Sequence, residues 1–538
     1  MSAVLDDAPA PSPVTPAPIE DGRDLYVQAL LALRDGNAED AASLLIQALR
    51  RQPNHAGMRR NLVRALLLAQ RFDQVVIHAN AALATAPDDA ELHFARATAL
   101  NALGDHTRAC AAFTRALALK PDHAASYLNL GNAKADLDDL SAAETLYRTA
   151  IRLDPTLAEA HASLGHILTQ QGHSNLAIEA CETAIRLRPD FAQAHWNLAI
   201  AALLTGDLTR GFAEYEWRRR HPRYRDRLHD LPEARWDGTH AAGQTILVRA
   251  EQGFGDAIQF ARYLPLIRDT GAVPLLACAA SLVPLMTSMG LHAVSASDPL
   301  PPYDAWIDQI SLPLVFATTL DSIPSTTAYL HADPARVHAW HTRLAVPPHN
   351  PPCDADHPPR DDHQANIGLA FAGNPQHPAD RARSIPPHFA AKLLAIPGFR
   401  FVNLQHGPSA AALALPDLTR WMTDYAETAA LIENLDLVIT ADTSVAHLAG
   451  ALGKPVWILL PHAPDWRWLQ ARSDSPWYRS ARLFRQPKPG DWTTVLHQVT
   501  DELAAPPPPP HAAAHDPDAN HATAVSISHN RSAPLPQA

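Results

Sequence analysis

The sequence predicts an all-helical solenoid followed by a pair of α/β lobes. Three observations lead there. Prolines recur at Pro53, Pro87, Pro121, Pro155 and Pro189, each 34 residues after the last. From about residue 240 that period is lost, and strand-like and helix-like runs alternate in two stretches, 240–345 and 367–504. Between them lies "VPPHNPPCDADHPPRDDHQAN", residues 346–366, whose Pro, Asp and His content reads as a linker. A chain of 538 residues is too long for a single core.

Other columns keep the 34-residue register. Small residues return at Ala41, Ala109, Ala143, Ala177 and Gly211, with Val75 the larger exception, and again at Ala48, Ala82, Ala116, Ala150 and Ala184. Gly36, Gly104, Gly172 and Gly206 mark turns between paired helices, with Gln70 and Asp138 at the equivalent positions of the other units. Alanine columns let two helices approach, and each pair buries its open face only against the next. The pattern resembles the tetratricopeptide repeat over about six units, residues 22–225. That resemblance implies a concave face that holds a protein or peptide segment, or else a stacking scaffold with no client.

In the first alternating stretch "TILVRAE" and "AVPLLACA" read as strands, and "GDAIQFARYLPLI" and "LVPLMTSM" as helices. "DAWIDQ" then leads into "SLPLVFATTL". In the second, "ANIGLAFAG", "RFVNLQ", "LDLVIT" and "VWILL" read as strands. The helices there are "PPHFAAKLLAI", "ETAALIENL", "SVAHLAGAL" and "DWTTVLHQVTDELA". Two such lobes on a hinge-like linker imply a cleft. Residues 1–21, rich in Pro and Ala, and the Pro/His-rich tail 505–538 have the composition of disorder.

Composition narrows the function classes. The formal net charge of -12, with no large basic face, argues against a nucleic-acid partner. Cys110, Cys181, Cys278 and Cys353 are widely separated and form no CxxC pair, which suggests reduced thiols in a reducing compartment. The N-terminus has neither a basic n-region nor an apolar h-region, and no run of about 18 apolar residues occurs. A soluble cytoplasmic protein without a transmembrane segment is the expectation.

Four stretches carry candidate chemistry, all where a strand ends. In "AEQGFGDAIQF", Gly253 and Gly255 permit a tight turn and close backbone approach, and Asp256 opens a helix. Asp256 is either an N-cap, worth about 1 kcal/mol, or a general base facing the cleft. Ile258 occupies the third glycine position of a dinucleotide fingerprint, so that fingerprint is absent. In "AGNPQHPADRARSIP", Gly373 and Asn374 precede Asp380, Arg381 and Arg383, whose guanidinium forks suit a diphosphate or simply form ion pairs on a solvated loop. In "ITADTSVAHLAGALGKPVW", Asp442, Thr443 and Ser444 stand at a helix start with His447 one turn on; they bind an anion, or only cap and pack. "PHAPDWRW", Pro461 to Trp468, brings Asp465 to the same edge.

Together these stretches resemble family 9 glycosyltransferases, the heptosyltransferase-like group. They resemble more closely bacterial proteins that join such a domain to tetratricopeptide repeats, with the likeness running over about residues 240–500. The resemblance implies a GT-B fold: two Rossmann-like lobes, with donor bound mainly by the second. It implies a sugar moved from a nucleotide-diphosphate sugar, a co-substrate with no other cofactor, to a hydroxyl acceptor. It maps the family's acid–Thr–Gly…His stretch onto Asp442, Thr443, Ser444 and His447. A phosphate-binding basic residue maps onto Arg383 and the first-lobe acid, as base, onto Asp256. Gly255, Asn374, Arg381 and Asp465 complete the expected donor and catalytic set. Ser444 stands where the heptosyltransferases have Gly, and Asn374 where they have a hydroxyl residue, which leaves the donor sugar open.

No metal is expected, because the DxD triplets (Asp136–Asp138, Asp354–Asp356, Asp516–Asp518) lie away from these strand ends. The alternative reading is a non-catalytic interaction scaffold with a degenerate nucleotide-sugar site. Nucleotide-diphosphate hydrolysis is a third.

Overall fold

The computed structural model describes residues 22–324, 328–345, 364–376, 380–406, 413 and 415–505. The expected disordered N-terminus (1–21), most of the expected linker (346–363) and the expected tail (from 506) lie outside the described residues.

Six helix pairs run from Gly22–Arg34 with Ala38–Arg51 to Ala192–Thr205 with Leu208–Tyr215. Each in-phase proline falls just after the second helix of a pair, where it cannot continue the helix. The turn inside every pair takes one left-handed residue, at Gly36, Gln70, Gly104, Asp138, Gly172 and Gly206. Gln70 and Asp138 thus adopt the backbone that glycine adopts most readily. Asp105, Asp139 and Asp207 each cap the helix that follows such a turn. The alanine columns are buried, and Gly131 and Gly165 let paired helices close further. A Cβ at Gly131 would sit 2.6 Å from the Tyr147 ring, and one at Gly165 2.4 Å from Cys181 Sγ.

The rest of the chain builds two five-stranded, all-parallel sheets. The first contains β1 (Ala234–Arg235), β2 (Thr245–Arg249), β3 (Val273–Cys278), β4 (His292–Ser295) and β5 (Ala305–Asp308), in the order β1-β5-β2-β3-β4. The second contains β6 (Ala365–Ala370), β7 (Phe399–Asn403), β8 (Leu437–Ala441), β9 (Val456–Leu460) and β10 (Ala481–Arg485), in the order β10-β9-β8-β6-β7. The order reverses between β2 and β5 in one sheet and between β6 and β8 in the other. In open parallel sheets, ligands bind at the carboxyl ends beside such reversals.

One expected helix is broken. The run "GDAIQFARYLPLI" forms Phe254–Phe260, a short 3-10 turn and then Leu264–Asp269. Pro265 sits in the first turn of the last piece, where its missing N–H does no harm; a continuous helix would have needed that donor. The helix Pro334–Ala345 follows the first sheet in sequence but packs on Tyr425–Glu433 of the second lobe. Arg336 reaches Asp424 and Glu427, and the Trp340 indole donates to Glu427 at 2.8 Å.

The last repeat and both sheets share one apolar cluster. It runs from Leu203, Leu208 and Phe212 through Ile246 and Phe260 to Trp466 and Trp477. The first repeats have a separate cluster around Leu45, Leu62 and Leu66. The free end of the solenoid therefore rests on nearest-neighbour packing alone, and its other end is part of the α/β core.

Candidate functional site

At the reversal of the second sheet, β8 ends just before Asp442 and the helix Ser444–Ala451 begins two residues later. Thr443 is its N-cap: the hydroxyl accepts from the Val445 N–H at 3.3 Å and lies 3.2 Å from Thr440 Oγ1. Ser444 Oγ is 2.8 Å from the Tyr425 hydroxyl. Asp442 is buried, and burial together with the Asp465 carboxylate pushes its pKa up to about 6 against the pull of Arg383. The Trp468 indole N–H lies beside Asp442 without a well-formed hydrogen bond.

From β6, across the reversal, comes the Gly373 turn. Arg383 folds over it, so that a Cβ at Gly373 would lie 2.5 Å from Arg383 Nη2. Arg383 is half-buried, with Nε 3.4 Å from Asp380 Oδ1. Arg381 is exposed on the same short helix, and Asn374 is exposed with Oδ1 accepting from the Gln376 N–H at 3.0 Å.

His447 is buried one turn into the helix. Its Nδ1 lies 2.9 Å from the Tyr478 hydroxyl and its ring stacks on Trp468. Burial, then the guanidinium groups of Arg467, Arg262 and Arg383, hold it well below the usual imidazole range, so it is neutral. It also marks where the lobes meet, since a Cβ on Gly255 would fall 2.7 Å from His447 Cδ2. Gly255 therefore provides close approach between lobes. Neither it nor Gly253 needs a left-handed backbone.

Asp256 is at the third position of the helix Phe254–Phe260, not at its N-cap. Oδ2 accepts from the Gly253 N–H at 2.8 Å, and Oδ1 pairs with Arg467 from the loop after β9. Arg467 also donates to Asp465 (2.7 Å) and to Gln259 Oε1 (2.6 Å), and it is 6% exposed. This arginine was missed in the sequence. Its signal was weak: one cation between two tryptophans in "PDWRW". The site thus unites Asp442, Thr443, Ser444, His447, Arg383, Asp465 and Asp256, while Asn374 and Arg381 stand exposed at its outer edge. Among the described residues no group of three or more His, Cys, Asp or Glu has a metal-holding arrangement.

The solenoid forms the third wall. Tyr215 exchanges hydrogen bonds with Gln252, and Phe212 packs edge-on to Trp466. A cavity of 180 Å³ lies between the last two repeats and the loop after β9, lined by His166, Gln170, Trp196, Asn197, His462 and Pro464. Gln470 closes its rim by donating to Ser174 at 2.8 Å.

These features define a class: a helical-repeat solenoid built into a two-sheet α/β unit with a polar site at the sheet reversal. More particularly, the chain matches tetratricopeptide repeat models and, over a short stretch towards its C-terminus, resembles family 9 glycosyltransferases. The TPR repeat family matches residues 131–172 and 165–206, and two tetratricopeptide repeat families match 32–98 and 78–124. Glycosyltransferase family 9 (heptosyltransferase) matches residues 422–466, which include Asp442, Thr443, Ser444, His447 and Asp465 and stop one residue before Arg467.

The chain is 28% identical to Protein FlbA of Caulobacter vibrioides over 305 residues, 51% of this chain and 48% of FlbA. It therefore spans about half the length of that curated relative. Among solved structures, MamA from Desulfovibrio magneticus is 19% identical with a TM-score of 0.30, covering 32% of this chain and 99% of its own. TTC0263, a thermophilic TPR protein in Thermus thermophilus, is 19% identical with a TM-score of 0.30, covering 34% and 99%. Among the described residues no helix is long and apolar enough to cross a membrane.

Proposed function

We propose that the chain is a GT-B-type glycosyltransferase acting in the cytoplasm. In this reading it moves a sugar from a nucleotide-diphosphate sugar to a hydroxyl of a polypeptide recruited by the repeats, without a required metal. One observation carries the reading: Asp442, Thr443 and Ser444 converge with Arg383 at the second sheet's reversal, across from Asp256. Asp442 accepts hydrogen bonds from sugar hydroxyls. The helix N–H groups behind Thr443 and Ser444, with Arg383, face the diphosphate and take up the charge it gains on leaving. The acceptor oxygen bonds to the anomeric carbon as the bond from that carbon to the phosphate oxygen breaks. The electron pair leaves with the diphosphate, and the acceptor proton goes to Asp256. The cavity between the last two repeats and the loop after β9 supports a polypeptide acceptor, because Pro464 on its wall directly precedes Asp465 of the site.

A second reading, a scaffold that binds a nucleotide sugar without turnover, is favoured by the engagement of both Asp256 oxygens. The two separate on a thermal-shift panel of nucleotide-diphosphate sugars, followed by hydrolysis and transfer assays with the donor that responds. We expect one donor to raise the midpoint as RT ln(1 + [L]/Kd), and Asp256→Asn to abolish turnover with that shift kept or enlarged. A shift without turnover in the unmodified chain selects the scaffold; no shift with any donor removes the transferase reading.

A further inference from the structure

We propose that Arg467 is held in reserve by Asp256 and turns to the donor diphosphate when a nucleotide-diphosphate sugar binds, so that donor occupancy frees the base. The inference rests on the transferase reading above and deepens it. Arg467 belongs to the second lobe, yet two of its three bonded partners, Asp256 and Gln259, belong to the first. The third, Asp465, is its own near neighbour.

Charge accounting explains why it has to move. Asp256, Asp380, Asp442 and Asp465 surround the rim, while the half-buried or buried cations facing them are Arg383 and Arg467. Arg383 already faces Asp380. A diphosphate entering this acidic rim is repelled unless a second guanidinium is turned towards it, and Arg467 already acts electrostatically on Asp442 and His447 at the helix start.

Two more observations fit the exchange. Trp468 Nε1 and Gln259 Nε2 are buried N–H donors without a partner, one on the chain neighbour of Arg467 and one on a side chain that Arg467 bonds. Buried unpaired donors are costly, and a ligand rich in acceptor oxygens relieves that cost once the guanidinium shifts. The Gly253 N–H meanwhile keeps its hold on Asp256 Oδ2, so the carboxylate stays in place when Oδ1 is released. The acceptor hydroxyl then meets a free Oδ1 only when a donor is present, which makes donor-first binding a property of the fold.

The test is a binding cycle on the full chain with UDP, GDP, ADP and inorganic pyrophosphate as probes, read by calorimetry. Asp256→Asn is expected to tighten diphosphate binding by about three- to tenfold, because the guanidinium is no longer neutralised. Asp256→Asn also takes one like charge from the acidic rim, so the double variant decides whether a gain runs through Arg467. Arg467→Gln weakens binding by tenfold or more, and the double variant shows no gain from Asp256→Asn. Arg467→Lys keeps the charge, guards against a folding defect, and should retain part of the gain.

If a diphosphate binds the unmodified chain but Asp256→Asn does not tighten it, the reserve role is wrong and the transferase reading stands. If the gain persists in the double variant, another cation is responsible and the assignment to Arg467 is overturned. If none of the four probes binds, both readings fall together.

Discussion

Each sheet reverses its strand order beside a central strand, and the molecule uses the two reversals differently. At the first, between β2 and β5, Arg249 and Asp308 close the gap at 2.7 Å. The solenoid inserts Arg218 and Arg219 beside them. Arg218, with no exposed surface, holds Glu216 at 2.6 Å and Glu251 at 3.0 Å, and Arg219 pairs with Asp308. At the second, between β6 and β8, Arg383 is half-buried and Asn374 and Arg381 are exposed. A shared reversal therefore does not make equal sites. A rim saturated by its own chain is a structural joint, and a rim left partly open has capacity for a ligand.

The largest effect tests the joint. Arg218→Ala leaves Glu216 and Glu251 in a desolvated setting without their shared cation, a situation that costs about 3–5 kcal/mol. Urea unfolding should show that loss in a single transition, because the last repeat and both sheets share one core. A loss below about 1 kcal/mol would mean that the first rim is not what fastens the solenoid.

The next effect is specific to the second rim and has a sign in pH. Burial and the neighbouring Asp465 carboxylate raise the Asp442 carboxyl from its ordinary range to about 6 in the fold. A raised acid costs nothing below its unfolded value. Its cost grows as pH climbs from about 4 to 6, and is full above that. Asp442→Asn is thus expected to stabilise the chain by about 1–3 kcal/mol at pH 8 and hardly at all at pH 4. Thermal midpoints of the two proteins across that range check it. A constant difference would place the strain elsewhere. The gain in stability should come with loss of donor binding, as expected where a buried acid is kept for a ligand.

What the sequence could disclose follows the range of each interaction. The repeats were legible because their turns, prolines and alanine columns act within 34 residues, and even Gln70 and Asp138 could be placed by register. Asp442 to His447 was legible because strand, turn and helix are contiguous. Arg467 was not, since its meaning lies in Asp256, 211 residues away. Arg218 stands in "EWRRRHPRYR", a run of basic residues with no local partner pattern to mark one of them as buried. It is buried only because Glu251 and Ser311, 33 and 93 residues on, close over it. The edge strands β1 and β4, two and four residues long, carried too few residues to register as alternation.

The smallest folding effect gives the sharpest contrast. Arg383 and Arg218 are both arginines at the carboxyl end of a parallel sheet, so a general need for positive charge there would make their loss equally harmful. Arg383, however, is 16% exposed in its side chain and has only a long contact to Asp380, which Ser384 also holds at 2.9 Å. Removing it takes one favourable charge from Asp442, which Arg467 also faces, and breaks no close ion pair. Arg383→Ala should therefore change unfolding free energy by no more than about 0.5–1 kcal/mol. It should also erase most of the midpoint rise that a nucleotide-diphosphate sugar produces in the unmodified chain. Loss of stability comparable to Arg218→Ala would make the second rim another joint. An unchanged donor shift would instead move diphosphate recognition away from Arg383, towards the helix start and Arg467.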